Sequence, residues 1–190
     1  ALELADLLRE ENRILPGGYI YLSDILGHPS NLKKIGQIIA HEYCDKQIDV
    51  VMTIATKGIP IAQSVAEILD VPFVIVRRDP KVTEGATLNV NYMSGSSSRV
   101  ENMTLSKRSL SIGQSVLIVD DFMKGAGTIN GMKSLVHEFD CFLSGVAVFL
   151  EGPFKGERLV DDYKSILKVD QIDVAQRTIE VELGNIFEEK

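Results

Sequence analysis

Tryptophan is absent from this chain, histidine occurs only three times, and cysteine only twice in 190 residues. Cys44 and Cys141 lie far apart, with no C-x-x-C pair and no histidine at zinc-ligand spacing, so neither a disulfide framework nor a structural metal is indicated. Both are expected to be buried free thiols in a reducing compartment. An excess of positive charge is missing too. The 20 Lys and Arg stand against 27 Asp and Glu, a net charge of −7, and the pI is near 5.0. That balance gives no overall pull toward nucleic acid or an anionic membrane, so any contact with DNA is expected from outside this stretch. Long apolar runs are lacking: GVAVFL, from Gly145 to Leu150, falls far short of the ~20 residues of a membrane span. The N-terminus carries no basic-then-apolar signal, which leaves a cytoplasmic protein without a membrane partner as the expectation. With 45% hydrophobic and 25% charged residues, the chain has the composition of one ordinary globular domain. It begins with Ala1, which fits either removal of an initiator methionine or a preceding domain left off.

The hydrophobic pattern reads as α/β. LELADLLREENRILPG sets Leu4, Leu8 and Glu11 on one helical face ending at Pro16, and YIYL follows as a short strand. HPSNLKKIGQIIAHEY predicts a helix with Ser30 as its cap and Leu32, Ile35, Ile39 and Tyr43 on one stripe. Two βαβ units come next: IDVVMTIA, IPIAQSVAEILD and PFVIVRR, then SVLIVDD, GTINGMKSLVHEFD and FLSGVAVFLE. Parallel strands with crossover helices are implied. The tail alternates in YKSILKVDQID and TIEVEL, which predicts short strands there rather than another layered unit. Between the two units, Arg77 to Arg108 reads as irregular, with six basic residues against three acids and the small-residue run SGSSSR from Ser94 to Arg99. Long loops of this kind act as lids or connectors.

The most specific segment is VLIVDDFMKGAGT, from Val116 to Thr128. A buried strand ends in two carboxylates and passes through a glycine-rich turn into a helix, the place where open α/β sheets bind ligands. Successive N–H groups of Lys124, Gly125, Ala126, Gly127 and Thr128, with the Thr128 hydroxyl, suit a phosphate at a helix N-terminus. Asp120 and Asp121 suit vicinal hydroxyls, and a sugar phosphate satisfies both demands. A Walker loop fails because Met132 separates Gly131 from Lys133, and a dinucleotide fingerprint lacks its third glycine at Asn130. A receiver domain would need more chain beyond Asp121. His28, His41 and His137 share no spacing for metal or triad chemistry, and no protein side chain is expected to ligate a metal directly.

The segment resembles the phosphoribosyl-pyrophosphate (PRPP) motif of the type I phosphoribosyltransferases. TIATKGIPIA, Thr53 to Ala62, is similar to that family's pyrophosphate loop. The resemblance implies a mostly parallel sheet flanked by helices, with a mobile lid from Arg77 to about Ser106. It places Ala55, Thr56, Lys57 and Gly58 at the pyrophosphate, with a cis bond between Ala55 and Thr56, and Arg78, Lys81 and Tyr92 of the lid at the ligand. It also assigns Asp120 and Asp121 to the ribose, Phe122 and Met123 beside them, and Lys124 to Thr128 to the 5′-phosphate. Mg²⁺ is expected to arrive with PRPP.

Within the family the chain is similar both to xanthine phosphoribosyltransferases and to the purine-operon regulators of Gram-positive bacteria, which carry this fold behind a winged-helix DNA-binding domain. Lys124-Gly125-Ala126-Gly127-Thr128 departs from the enzymes' Ala-Thr-Gly-Gly-Thr, and the lid text NYMSGSSSR resembles the regulators. After VFLE, Gly152 stands where the xanthine enzymes place a base-reading lysine. The resemblance therefore implies a PRPP-sensing effector domain without catalysis, a homodimer, and DNA contact through an N-terminal module outside this chain. The alternative is a transferase that moves phosphoribosyl from PRPP to a nucleobase.

Overall fold

A computed structural model describes residues 1–10, 13–94 and 99–188. Helix α1 (Leu2–Arg9) buries Leu4, Ala5 and Leu8 on one face. It ends earlier than its sequence pattern predicts, and Glu11 of the predicted stripe lies outside the described residues. Ile14–Leu15 forms β1 instead, pairing antiparallel with β2 (Tyr19–Ile20). Gly17 and Gly18, at φ +82 and +75, make the reversal that breaks the helical pattern. A short helix α2 (Ser23–Gly27) precedes α3 (Pro29–Glu42). Ser30 does not cap α3. Pro29 takes the first position, where a missing N–H is harmless, and the Ser30 hydroxyl lies 2.9 Å from the His28 ring nitrogen inside the first turn.

Strand β3 (Val50–Ile54) is buried throughout, followed by α4 (Gly58–Leu69) and β4 (Phe73–Val76). The second unit is β7 (Ser115–Met123), α5 (Gly127–Glu138) and β8 (Phe142–Glu151), after the hairpin β5 (Thr87–Met93) and β6 (Val100–Ser106). The segment 77–108 is thus not irregular. Its strands pair with each other, and a bridge from Arg77 to Thr104 ties the hairpin to the end of β4. Of its small-residue run, Gly95 to Ser98 lie outside the described residues.

The main sheet has the order β10-β9-β8-β7-β3-β4. The tail forms strands and no further layered unit, as expected, though β9 (Lys164–Asp173) is not short: it runs 10 residues and joins this sheet parallel to β8, and β10 (Thr178–Leu183) closes the edge antiparallel to β9. Their alternation is that of strands near a sheet edge, which a sequence pattern cannot separate from an isolated hairpin. Alternate residues of β7 serve two cores: Leu117 and Val119 pack with α1, α3 and α4, while Val116 and Ile118 pack with α5 and the hairpin. Among the described residues no helix is long and apolar enough to cross a membrane. The thiols are not buried as expected: Cys44 is exposed and Cys141 intermediate, because Tyr43 takes the inward position at the end of α3.

From β3 the chain crosses through α4 to β4 on one side, while β7 lies on the other. This reversal of winding opens a crevice at the carboxyl ends of β3 and β7. Behind it, the Tyr43 hydroxyl donates to the Val146 carbonyl at 2.8 Å, and a Cβ on Gly145 would meet the Tyr43 ring at 2.2 Å. Replacing Gly145 with Ala is expected to destabilise the protein by about 1–3 kcal/mol through overpacking. Urea denaturation measures this, and an unchanged midpoint would mean that the ring has room to move.

Candidate functional site

A cavity of about 450 Å³ lies at the carboxyl ends of β3 and β7. Three chain segments wall it: the loop Ala55–Lys57 after β3, Arg78 after β4, and the continuous run Asp120–Ile129 from β7 into α5. The volume is within the range of small-ligand sites. Thus most of the residues singled out from sequence meet in one place although they come from distant parts of the chain.

The loop after β3 contains the cis peptide bond between Ala55 and Thr56 that the family resemblance implied. Gly58 opens α4 from beneath the wall rather than lining it. A Cβ there would stand 2.3 Å from Thr53 Oγ1 and 3.1 Å from Asp120 Oδ1, so only glycine lets the helix start so close to the acid. On the opposite wall, Ala126 takes φ +62, a left-handed conformation that costs an L-residue about 1 kcal/mol or more. It turns the chain into α5, whose N-terminus carries no side-chain cap. The uncapped first-turn N–H groups are ready donors for an anion.

Five further predicted residues sit differently. Lys81 is exposed beside a 3-10 turn and does not line the cavity. Tyr92 is buried and also outside the lining; its hydroxyl accepts from Arg78 Nε at 3.1 Å and donates to Glu101 at 2.8 Å. Met123 borders the cavity but is only 2% exposed, packed in the core beside α5. Phe122 and Lys124 fold over Gly152: a Cβ there would lie 2.6 Å from Phe122 Cζ and 3.2 Å from Lys124 Cγ. The ammonium of Lys124 stands 5.9 Å from the centroid of the Phe122 ring. These two side chains therefore pack directly against Gly152 at the end of β8. Two of the six basic residues from Arg77 to Arg108 are paired internally, Arg77 to Glu84 at 3.1 Å and Arg78 3.5 Å from Glu101. Arg78 alone of the lid's basic residues lines the cavity, and it also donates to the Ala55 carbonyl at 3.4 Å.

Sequence reasoning missed Ile54 and Ile129 in the lining, Thr53 beneath it, and Arg158 behind the turn. The first three are part of motifs whose apolar or small residues read as core. Arg158 comes from a segment without periodicity, and no sequence signal marks it.

Electrostatics single out the acid pair. Burial, and then the neighbouring charge of Asp121, push the Asp120 carboxyl well above its usual range; burial also raises Asp121, against the Asp120 hydrogen bond and the charge of Lys57. Asp120 is 5% exposed, and its Oδ1 accepts the Asp121 N–H at 2.9 Å. Two adjoining buried carboxylates without a bound counterion are destabilising once ionised. An acid whose folded pKa is raised holds its proton above the unfolded value near 3.9, so stability falls as pH rises through the folded pKa. Asp120→Asn is accordingly expected to raise the Tm of the ligand-free protein by several degrees at pH 8 and by less at pH 4. Calorimetric scans at the two pH values test this; an equal shift at both would remove the charge explanation.

Known proteins share this architecture and sequence. Residues 22–184 match the phosphoribosyl transferase domain. The chain is 89% identical, over 99% of its length and 69% of the relative's, to the purine biosynthesis transcriptional activator PurR of Lactococcus lactis strain IL1403. It is 52% identical, over 97% of its length and 65% of the relative's, to the purine biosynthesis transcriptional repressor PurR of Bacillus subtilis. A xanthine phosphoribosyltransferase of Exiguobacterium is more distant, at 29% identity over 80% of this chain and 81% of that protein. Among solved structures, an adenine phosphoribosyltransferase of Thermoanaerobacter pseudethanolicus superposes with a TM-score of 0.71, covering 80% of this chain and 88% of that one at 22% identity, which bears on the fold alone. Matched along nearly its whole length by regulators of two genera, and through its core by their shared domain, the chain belongs to the PurR family of purine-biosynthesis transcriptional regulators.

Proposed function

We propose that this domain binds PRPP as an effector and performs no phosphoribosyl transfer. One observation carries the reading: a single cavity joins an acid pair to an uncapped helix N-terminus, while Phe122 and Lys124 pack against Gly152, which brings no base-reading side chain. The acid pair suits the ribose hydroxyls, the turn Lys124–Thr128 the 5′-phosphate, and the loop Thr56–Gly58, with Arg78, the pyrophosphate. A transferase must also hold a nucleobase in line and stabilise a cationic transition state, whereas a sensor needs only ground-state affinity. Side chains packed over Gly152 oppose the first demand and leave the second untouched.

The donor set also fits Mg²⁺ carried on the ligand. Among the described residues no cluster of three His, Cys, Asp or Glu could hold an ion, yet the paired carboxylates face a cavity that a cation-bearing diphosphate would neutralise. Carried on the ligand, the ion would offset ligand charge, and Asp120 and Asp121 would hold the ribose hydroxyls. With a net charge of −7 on the chain, DNA contact is assigned to a winged-helix module outside it and the working unit to a homodimer. PRPP binding would alter DNA affinity by linkage between the two sites.

Calorimetric titration of Mg-PRPP is expected to give saturable heat, with no turnover when xanthine, hypoxanthine, guanine or adenine is injected afterwards. Sustained heat with any base would establish a transferase instead. Asp120→Ala with Asp121→Ala is expected to remove on the order of 1.5–3 kcal/mol of binding per charge-assisted hydrogen bond lost; unchanged affinity would overturn the ribose assignment. Lys124→Ala is expected to weaken PRPP binding without introducing activity. Nucleotide synthesis by that variant would show that one side chain blocks the chemistry.

A further inference from the structure

The segment 152–163, between β8 and β9, contains no regular element and passes directly behind the turn Lys124–Ala126. It touches that turn through its backbone at every step. The Gly152 N–H donates to the Met123 carbonyl at 2.7 Å, Arg158 Nε to the Lys124 carbonyl at 3.0 Å, and the Leu159 N–H to the Gly125 carbonyl at 3.2 Å. Phe154 lies against Gly125 so closely that a Cβ there would meet its ring at 3.0 Å.

These contacts have a directional consequence. In a trans peptide unit the C=O and the following N–H point to opposite sides, and the units at 124–125 and 125–126 are trans. Holding the carbonyls of Lys124 and Gly125 on the strap therefore turns the N–H groups of Gly125 and Ala126 to the other side. That side is the cavity, which both residues line.

Arg158 is itself fixed. Its Nη1 lies 2.7 Å from Glu151 Oε1 and donates to the Tyr163 hydroxyl at 3.0 Å, and its Nη2 donates to the Gly152 carbonyl at 3.0 Å. The Glu151 side chain is only 6% exposed, and its Oε2 accepts from the Ser165 hydroxyl at 3.0 Å. A guanidinium spends three nitrogens on four partners here, a geometry that a single ammonium cannot reproduce. So firm a buried network behind a short turn is more than closure of a loop requires.

We propose that Arg158 is a positioning residue for the phosphate-binding turn: it restrains the Lys124 carbonyl and so aims the Gly125 N–H into the cavity, while anchoring the adjoining Leu159 N–H that restrains the Gly125 carbonyl behind the Ala126 N–H. The inference rests on the reading of that turn as the 5′-phosphate site. It makes a prediction that a purely structural role would not, because the pyrophosphate loop Ala55–Gly58 has no contact with the strap among the hydrogen bonds described. Disturbing Arg158 should separate the two ends of the ligand.

The test titrates ribose 5-phosphate and inorganic pyrophosphate separately into the wild-type protein and into Arg158→Lys and Arg158→Met. Arg158→Lys keeps a cation opposite Glu151 and guards against a folding failure. The expected result is ribose 5-phosphate binding about tenfold weaker in both variants, with pyrophosphate affinity within about twofold of wild type. Equal loss of both ligands, or no loss of either, would overturn the positioning role. Wild-type protein that binds pyrophosphate but not ribose 5-phosphate would instead overturn the assignment of the turn, and this inference with it.

Discussion

A carboxylate is buried at the carboxyl end of β7, and the elements around it are arranged about that charge. Asp120 is flanked by Asp121 along the strand, by the first residue of α4 across the crevice, and by Arg78 from the end of β4. Placing an acid there lowers the stability of the empty protein, since burial and a like-charged neighbour both oppose ionisation. The same placement presents acceptors that water has already left, so a ligand carrying hydroxyls and cations gains what the empty site lacks. Stability and binding oppose each other at this residue, as they commonly do at functional sites.

The opposite wall solves a complementary problem. An anion site made of backbone N–H groups has no charged side chain to advertise it, and depends on the orientation of a few peptide planes. The glycines of the turn make close approach feasible, and Ala126 accepts a left-handed conformation to complete it. The peptide planes are then held from behind by a segment that has no secondary structure. The cavity is thus asymmetric: β-strand ends carry the acids, while the opposite side is a turn between α5 and the segment 152–163.

The packing against Gly152 is a local feature of this cavity. The sheet order alone says nothing about what is done at the topological reversal. Here the two variable positions of the motif and the following lysine matter. Phe122 and Lys124 meet over a residue that has no side chain of its own, and any substitution at Gly152 would have to displace an aromatic ring.

The central strands, the helices α3, α4 and α5, and the run from Val116 to Thr128 were legible in the sequence because each is set by short-range regularities: apolar periodicity, acids at a strand end, glycines at a helix start. The same regularities marked Asp120 and Asp121, while Thr56 and Lys57 were marked by the family resemblance. Burial and pairing across the chain were not legible. The lid proved to be a hairpin because its strands pair only with each other, β9 entered the main sheet because parallel pairing with β8 is a long-range event, and Lys81 and Tyr92 left the site because lid geometry turned them away. Arg158 had no local signature at all, since its role lies in carbonyls 34 residues earlier in the chain. Sequence by itself determined the chemistry available at the crevice. Tertiary structure alone decided which groups are desolvated, which charges are neutralised internally, and which way the peptide planes of the turn face, because each depends on neighbours that only the folded chain brings together.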